Sequence, residues 1–278
     1  MPFDSLENRL SAIPFPYALA VSRPLRSRSP GQRVELFGDI SQVFPWASVS
    51  KLVTSFATWK AVEDGLMTFS DPPGEPCPPG STLADLLGHT TGLAFASNHL
   101  SARLRTHRIY SNRGFELVGQ MVEKATRMTI SQWVAKTVTE PLEMTRTQMP
   151  GSPADSMRGT ITDLLTFAQE LAKPTLISRD MWALVQQPWM PGLSGVLPGY
   201  GRQNDNLWGM GIEIRGRKTP HWTPVNTPPY CFGHFGQSGS FLLVNPLTDT
   251  VIAFLGAQPF GDWHKENWPD LIETALAR

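Results

Sequence analysis

Cysteine is scarce in this sequence, and neither positive nor negative side chains are in excess. The 278 residues include 24 basic and 24 acidic side chains, so the formal net charge is zero. Such a balance argues against an extended basic groove for nucleic acid and against binding to an anionic membrane surface. The densest basic segment, residues 23–33, is rich in Ser, Pro and Gly, and is typical of a solvated hairpin loop. We therefore expect neither nucleic acid nor a membrane as a partner.

The two cysteines, Cys77 and Cys231, are too far apart in sequence to form a metal-binding or redox motif. We expect free thiols, although the sequence alone also allows a single disulfide between these two cysteines. No apolar run reaches the length of a membrane span, and prolines interrupt the short apolar segment 12–21, which argues against a secretory signal. These features predict a cytoplasmic protein.

Helical and strand patterns divide the chain into three parts. Strand patterns come first, at 17–22 and 32–38, and they return after about residue 205. Apolar residues recur at helical spacing from Ser48 to about Gly65. Between these parts the sequence favours a mostly helical region.

A proline-rich segment, residues 70–81, separates the first helix from this helical region, because proline lacks an amide donor and fixes φ. Residues 81–190 favour helices, and the final segment 265–277 predicts one more. The expected N-caps are Ser81 for the first helix of the region, Ser111 or Asn112 for the second, and Thr160 or Thr162 for the third.

Strands at both ends of the chain with helices between them predict an α+β fold. We expect a mixed, mainly antiparallel sheet flanked by helices, with an inserted, mostly helical lobe. The whole chain, 1–278, then forms one domain. Residues 1–69 and 200–278 build its α/β lobe, and residues 70–199 build the helical lobe.

The segment FPWASVSK places Ser48 three residues before Lys51, at the start of the apolar helical pattern. Residues at i and i+3 share a helix face, so the hydroxyl and the amine can meet. The lysine accepts a proton only if it is neutral, and neutralising an ordinary lysine at pH 7 costs roughly 4 to 5 kcal/mol. Burial can supply that shift in pKa. The alternative is a structural lysine whose stem packs while its ammonium reaches water.

Two further segments carry candidate site residues. In IYSNRGFELVG, Tyr110 can share a proton network with the serine and the lysine, while Asn112 can bind a substrate carbonyl or amide. In CFGHFGQSGSFLLVNP, His234 stands before a glycine-rich strand entry, where the backbone can approach a ligand closely. The structural alternatives are a core aromatic, a helix cap and a hydrogen-bonded histidine at a strand turn.

Taken in order, these motifs resemble the penicillin-recognising serine hydrolases, and specifically their class C β-lactamase and esterase branch. FPWASVSK is similar to the family's Ser-x-x-Lys motif, YSNRGFELVG to its Tyr-x-Asn motif, and GHFG stands where its third motif lies. GSTLADLLGHTTGL, EPLEMTRTQM and TITDLLTFAQEL also resemble family segments, the second with Glu143 where glycine is usual. The resemblance covers about residues 34–258. It implies the family's fold and its covalent acyl-enzyme chemistry.

The resemblance also implies roles for the matching residues. Ser48 is the expected nucleophile, and Lys51 and Tyr110 are expected to share the work of the base as a coupled pair. The backbone N–H groups of Ser48 and Gln237 are expected to form the oxyanion hole. Deacylation then falls to Tyr110, because the Glu-x-x-x-Asn motif of the family's other branch is absent.

Departures from the family pattern bear on the substrate. His234 and Phe235 stand where lactamases of this branch usually have Lys-Thr, which replaces a permanent cation by a mostly neutral ring and removes a hydroxyl. We therefore expect an esterase, a small-amide hydrolase or a D-amino-acid peptidase rather than an efficient β-lactamase. Binding of carboxylate-bearing substrates should improve below about pH 6.5. The residues expected to bind substrate are Asn112, His234, Gly236 and Gln237, joined by Trp222 and Tyr230 from the proline-rich segment 215–233.

Other chemistries find little support. No Gly-x-Ser-x-Gly elbow, His-Glu-x-x-His motif, Walker loop or complete dinucleotide fingerprint is present, so we expect no metal and no cofactor. The expected partner is a small-molecule acyl substrate. The competing hypothesis is a binding or sensor protein that keeps the fold and is not catalytic, or is acylated without turnover. The joint presence of Ser48, Lys51, Tyr110 and Asn112 favours the enzyme.

Overall fold

The computed structural model describes residues 6–25 and 31–277, which form one large sheet with helices on both faces. The strands are β1 (Tyr17–Pro24), β2 (Gln32–Gly38), β3 (Phe44–Pro45), β4 (Arg158–Gly159), β5 (Gly195–Leu197), β6 (Gly201–Gln203), β7 (Glu213–Ile214), β8 (Phe232–Gly236), β9 (Ser240–Asn245) and β10 (Thr250–Gly256). The helices are α1 (Leu6–Ser11), α2 (Ser50–Glu63), α3 (Leu83–Leu87), α4 (Asn112–Thr126), α5 (Ile130–Val134), α6 (Ile161–Ala172), α7 (Arg179–Val185) and α8 (Asp262–Leu276). A 3-10 turn, Ala47–Val49, precedes α2, and a π-helical turn, Ala135–Thr139, follows α5.

Six strands form the central sheet in the order β2-β1-β10-β9-β8-β7. The first strands of the chain thus lie beside the last, which confirms the predicted α+β fold. Every neighbouring pair in this sheet is antiparallel, so the sheet is antiparallel throughout rather than mixed. Two small pairs, β3-β4 and β5-β6, lie outside it.

Alternate residues of each strand face opposite sides of the sheet, so the molecule has two apolar cores. In the first, which we call the α2 core, Ala253 and Leu255 of β10 belong to one cluster with the apolar residues of α2 and α6. In the second, the α8 core, Ile252 and Phe254 of β10 pack with α1 and α8. Helix α6 lies in the range assigned to the helical lobe, yet it packs on β1 and β10.

Helix α2 begins at Ser50, two residues later than the pattern predicted, because the chain first makes the 3-10 turn. It ends at Glu63, close to the predicted end at Gly65. The helix packs against α4, α5 and α7, so most of its side chains are buried and its apolar residues form no single stripe. A lysine near its start is therefore enclosed.

The predicted caps are confirmed at two helices and wrong at one. The side chain of Ser111 caps α4, and that of Thr160 caps α6. Helix α3 is capped by Thr82 rather than Ser81, because Thr82 and Asp85 form the reciprocal hydrogen bonds of a capping box.

The region 81–190 is less helical than predicted. Residues 88–111 form an irregular loop between α3 and α4, and residues 140–157 form another before β4. The proline-rich segment 70–81 contains neither helix nor strand, as expected. The strand pattern after residue 205 is confirmed, although its first strand is shortened to Glu213–Ile214.

Both cysteines are unpaired in the structure. Cys77 and Cys231 are buried, and burial raises their pKa values to about 11 and about 12. The predicted hairpin of β1 and β2 is present, but residues 26–30 of its loop lie outside the described residues. Within the two described ranges, no helix is both long enough and apolar enough to cross a membrane.

Candidate active site

Ser48 lies on the 3-10 turn that leads into α2, and neighbouring strands hold this turn. Ser240 Oγ on β9 donates to the carbonyl oxygen of Trp46 at 2.7 Å. Ala47 has a φ of 45°, in the left-handed region that costs a non-glycine residue roughly 1 to 2 kcal/mol. The surrounding contacts keep this backbone in place, and the Ser48 hydroxyl then lies 3.3 Å from Lys51 Nζ.

Lys51 is fully buried, so its ammonium does not reach water and the simple structural alternative fails. Its Nζ contacts Ser48 Oγ, Asn112 Oδ1 at 2.6 Å and the carbonyl oxygen of Ala154 at 2.9 Å. Burial lowers the pKa of Lys51 to about 7. A neutral amine has two protons, which Asn112 and Ala154 accept, and its lone pair then faces the Ser48 hydroxyl. A general base requires this arrangement.

Tyr110 brings its hydroxyl to the same group of atoms. It lies 3.4 Å from His234 Nε2, and the Ser48 side chain is its other polar neighbour. The Tyr110 ring lies 4.8 Å from Lys51 Nζ. Burial raises the pKa of Tyr110, so the phenol keeps its proton at neutral pH. These opposite shifts favour Lys51 as the proton acceptor and Tyr110 as a donor.

His89 positions the segment that carries Tyr110. The amide of Ile109 donates to the carbonyl oxygen of His89 at 3.0 Å, and the amide of Ser111 donates to His89 Nδ1 at 3.2 Å. The imidazole also packs 4.8 Å from the Tyr110 ring. His89 therefore acts as a structural hydrogen-bonding residue rather than as a base.

His234 is buried on β8 and faces Tyr110. Its Nδ1 donates to the carbonyl oxygen of Phe235 at 2.5 Å, which leaves Nε2 to accept from the Tyr110 hydroxyl. Burial and the neighbouring Lys51 lower the pKa of His234 to about 4. The expected gain in carboxylate binding below pH 6.5 is therefore wrong, because the ring stays neutral until the pH falls to about 4.

Strand β8 ends beside the 3-10 turn at Gly236. A Cβ atom there would lie 2.5 Å from the carbonyl oxygen of Trp46 and 3.0 Å from Ala47 Cβ, so only glycine permits this approach. Gln237 follows in the turn to β9, and its backbone N–H donates to no residue that the structure describes. An N–H group without a partner beside the Ser48 turn suits an oxyanion donor, and that role stays a prediction.

Comparison with known proteins identifies the family of this chain. The profile of the family described as Beta-lactamase matches residues 39–276, which is most of the chain. This chain belongs to the beta-lactamase family. Membership supports hydrolase chemistry in general. Among curated proteins, none matches the sequence.

Solved structures agree with this assignment. A beta-lactamase from Mycobacterium bovis is 38% identical, with 98% of each chain covered and a TM-score of 0.91. A D-stereospecific amidohydrolase from Streptomyces is 16% identical, with 99% of each chain covered and a TM-score of 0.71. The second likeness shows a shared fold alone.

Two of the predicted substrate-binding residues do not lie at this beta-lactamase-family site. Trp222 is 1% exposed and belongs to the α8 core, where its ring lies 6.2 Å from that of Phe235. His234 and Phe235 are adjacent on β8 and face opposite sides of the sheet, so Trp222 lies behind the strand. Tyr230 is 41% exposed and precedes β8, at the end of that strand away from the 3-10 turn. Neither Trp222 nor Tyr230 therefore lines the predicted acyl pocket. The Phe235 side chain also faces away from the site, so its lack of a hydroxyl does not bear on the choice of substrate.

Two groups at the site come from the irregular loop before β4, from residues that follow the family-like segment EPLEMTRTQM and match no motif. The carbonyl of Ala154 accepts from Lys51, and the Asp155 carboxylate accepts from Asn112 Nδ2 at 3.0 Å. A backbone carbonyl has no sequence signature, and nothing beside Asp155 in the sequence marks it. Sequence reasoning therefore missed both groups.

Proposed function

We propose that this beta-lactamase-family protein is a serine hydrolase that cleaves an ester or an amide through a covalent acyl-enzyme on Ser48. The observation that most supports the proposal is the buried Lys51 amine, 3.3 Å from Ser48 Oγ, whose pKa burial lowers to about 7. An amine in that state can take the hydroxyl proton while the serine oxygen attacks the acyl carbon.

In the proposed reaction, Ser48 Oγ bonds to the acyl carbon while Lys51 takes its proton. The acyl oxygen becomes negatively charged, and the N–H groups of Ser48 and Gln237 stabilise it; removing one such donor costs about 3 to 4 kcal/mol. Tyr110 donates its phenolic proton to the leaving alcohol or amine and regains one from the network that holds Lys51. In the second step a water oxygen bonds to the acyl carbon while the neutral Lys51 amine, rather than the protonated Tyr110 phenol, takes one water proton. The bond between the acyl carbon and Ser48 Oγ then breaks, Oγ takes that proton from Lys51, and the carboxylic acid leaves.

Neutral acyl groups suit this site better than carboxylate-bearing ones. His234 stands where the related lactamases place a lysine, and it is uncharged at neutral pH because burial lowers its pKa to about 4. A penicillin carboxylate would therefore find no permanent cation at this position. We propose an ester or a small amide as substrate, a D-amino-acid amide included, with at most weak β-lactamase activity.

The proposal is tested with two chromogenic substrates, p-nitrophenyl butyrate, which is neutral, and nitrocefin, which carries a carboxylate. We expect a higher kcat/KM for the butyrate ester and loss of both activities in Ser48→Ala. Ser131→Ala changes an exposed serine on α5 and is the matched control, which should keep full activity. A Ser48→Ala variant as active as the wild type would overturn the proposal.

The same assay separates the competing hypothesis. A stably acylated binding or sensor protein would release one equivalent of p-nitrophenol per chain and then stop. Continued turnover favours the hydrolase, and Ser48→Ala should abolish the first equivalent under either hypothesis.

A further inference from the structure

Asp155 places an exposed carboxylate in the wall of the Ser48 site. Its Oδ2 accepts from Asn112 Nδ2 at 3.0 Å, and Asn112 Oδ1 accepts from Lys51 Nζ at 2.6 Å. Three hydrogen bonds thus connect Asp155 to the Ser48 hydroxyl. The preceding residue, Ala154, also binds Lys51 through its carbonyl, so the position of Asp155 is fixed from two sides.

The Asp155 carboxylate forms no direct ion pair in the parts of the chain that the structure describes, although it acts on the Lys51 ammonium from a distance. It forms none of the ion pairs found there, and no described residue donates to its Oδ1. Arg113, which follows Asn112 on α4, instead donates to Asn98 and Glu116. One carboxylate oxygen therefore stays available to a cation from outside the protein.

The other titratable groups that face Lys51 carry no full charge above pH 7. Burial keeps the pKa values of His234 and His89 well below neutrality, and the Lys51 amine lowers both further. Burial also keeps the Tyr110 phenol protonated. Burial lowers the pKa of Lys51 itself to about 7. Glu213 also acts on Tyr110 and His234, but it is buried and paired with Lys218 and His221. Of the charged groups named here, Asp155 is the exposed one that can meet a substrate.

An exposed aromatic ring flanks the same site. Phe95 is 54% exposed and stacks on Tyr110 with ring centroids 6.1 Å apart. Its carbonyl oxygen accepts from the amide of Arg113, so Phe95 lies at the start of α4, beside Asn112. Aromatic faces attract cations as well as apolar groups.

From this placement we propose that the site selects acyl substrates that carry an ammonium group a few bonds from the scissile carbonyl, and that Asp155 is the residue that selects them. This inference rests on the proposed serine hydrolase function and names its substrate class. An ammonium bound at Oδ1 leaves the Asn112 hydrogen bond at Oδ2 in place. A carboxylate on the substrate is repelled at the same position.

The test compares the p-nitrophenyl esters of three acids with the same chain length and different end groups. They are 4-(trimethylammonio)butanoate, its uncharged isostere 5,5-dimethylhexanoate, and glutarate, whose free end is a carboxylate. A quaternary ammonium is charged at every pH, so titration of the substrate does not enter. The quantity measured is the ratio of kcat/KM for the cationic ester to that for the neutral ester, above pH 7. This ratio cancels any general effect of a substitution on the Ser48 chemistry.

We expect the wild type to favour the cationic ester by about tenfold, as for a charge pair in a partly exposed site, and to hydrolyse the glutarate ester most slowly. Asp155→Asn keeps the side-chain volume and an acceptor for Asn112, and it should bring the ratio to about one. Asp180→Asn removes an exposed charge on α7 and is the matched control, which should leave the ratio unchanged. High salt should lower the wild-type ratio.

A wild-type ratio near one would overturn the role of Asp155, and so would a ratio that Asp155→Asn leaves unchanged. Either result leaves the proposed function intact if the neutral ester is still hydrolysed. Equal losses on both esters in Asp155→Asn would mean that Asp155 only positions Asn112. Absence of hydrolysis of all three esters by the wild type would overturn the serine hydrolase proposal itself.

Discussion

At the scale of single residues, burial gives Lys51 a property that its residue type lacks in water. An exposed lysine titrates near pH 10.4, whereas enclosure on α2 lowers the pKa of Lys51 to about 7. The Asp155 carboxylate opposes this shift and keeps the amine from losing its proton at a still lower pH. The amine is thus neutral above about pH 7, where its lone pair can serve Ser48.

The pH dependence of ester hydrolysis follows from this titration. Below about pH 7 Lys51 is protonated and accepts no proton, so kcat/KM for p-nitrophenyl butyrate should fall about tenfold per pH unit and level off above it. Lys51→Met keeps the apolar stem and should lose at least ~100-fold. A profile that stays flat through neutrality would show that Lys51 is not the acceptor. Titration of His234 cannot cause the fall in kcat/KM below pH 7, because burial lowers the pKa of His234 to about 4.

At the scale of elements, the close approach of β8 to the 3-10 turn fixes where Ser48 lies. Gly236→Ala would place a Cβ atom 2.5 Å from the carbonyl oxygen of Trp46, and the strand and the turn would have to separate. We expect kcat/KM for p-nitrophenyl butyrate to fall roughly 100-fold while the protein still folds. In Gly151→Ala, the matched control, the new Cβ would only touch Ser156 at 3.5 Å, and activity should persist. Full activity in Gly236→Ala would contradict this account of the turn.

Glu143 occupies a backbone position that favours glycine. Its φ is 54°, which explains in physical terms why the resembling family usually has glycine there. Its side chain is exposed and makes no hydrogen bond with the described residues. Glu143→Gly should therefore raise the free energy of unfolding by about 0.5 to 1 kcal/mol, the relief of strain less the entropy that glycine gains when unfolded. Urea unfolding measures this, with Glu143→Ala as the control that should bring no gain.

The parts of the site that sequence could predict are those with a local pattern. The spacing of Ser48 and Lys51 is such a pattern, and so is the cap that places Tyr110 before α4. Asp155 reaches the site only through tertiary packing of an irregular loop, which no spacing records. Trp222 fails for a related reason, because the face of the sheet to which its loop returns depends on the assembled strands.

At the scale of the whole molecule, both cores and the site enclose neutral imidazoles. The buried histidines of the described residues are His89, His221, His234 and His264. Burial lowers the pKa of each below its ordinary value near 6.5. The unfolded chain therefore binds more protons than the folded protein as the pH falls below about 6.5, so the folded state loses stability over that range.

Urea unfolding at two pH values tests this consequence. The free energy of unfolding should be lower at about pH 5 than at about pH 7.5 by at least ~2 kcal/mol. His234→Gln removes one of the buried groups and should reduce the difference, whereas His107→Gln, at an exposed position, should leave it unchanged. Equal stability at the two pH values would mean that the folded protein protonates these rings as readily as the unfolded chain does.

The claim on which the other proposals depend is that Ser48 is an activated nucleophile. Intact-mass spectrometry after incubation with a reactive fluorophosphonate, followed by peptide mapping, tests it most directly. We predict one adduct per chain, on the peptide that contains Ser48, absent in Ser48→Ala and formed more slowly in Lys51→Met. No adduct on the wild type, or an adduct on another serine, would contradict the account.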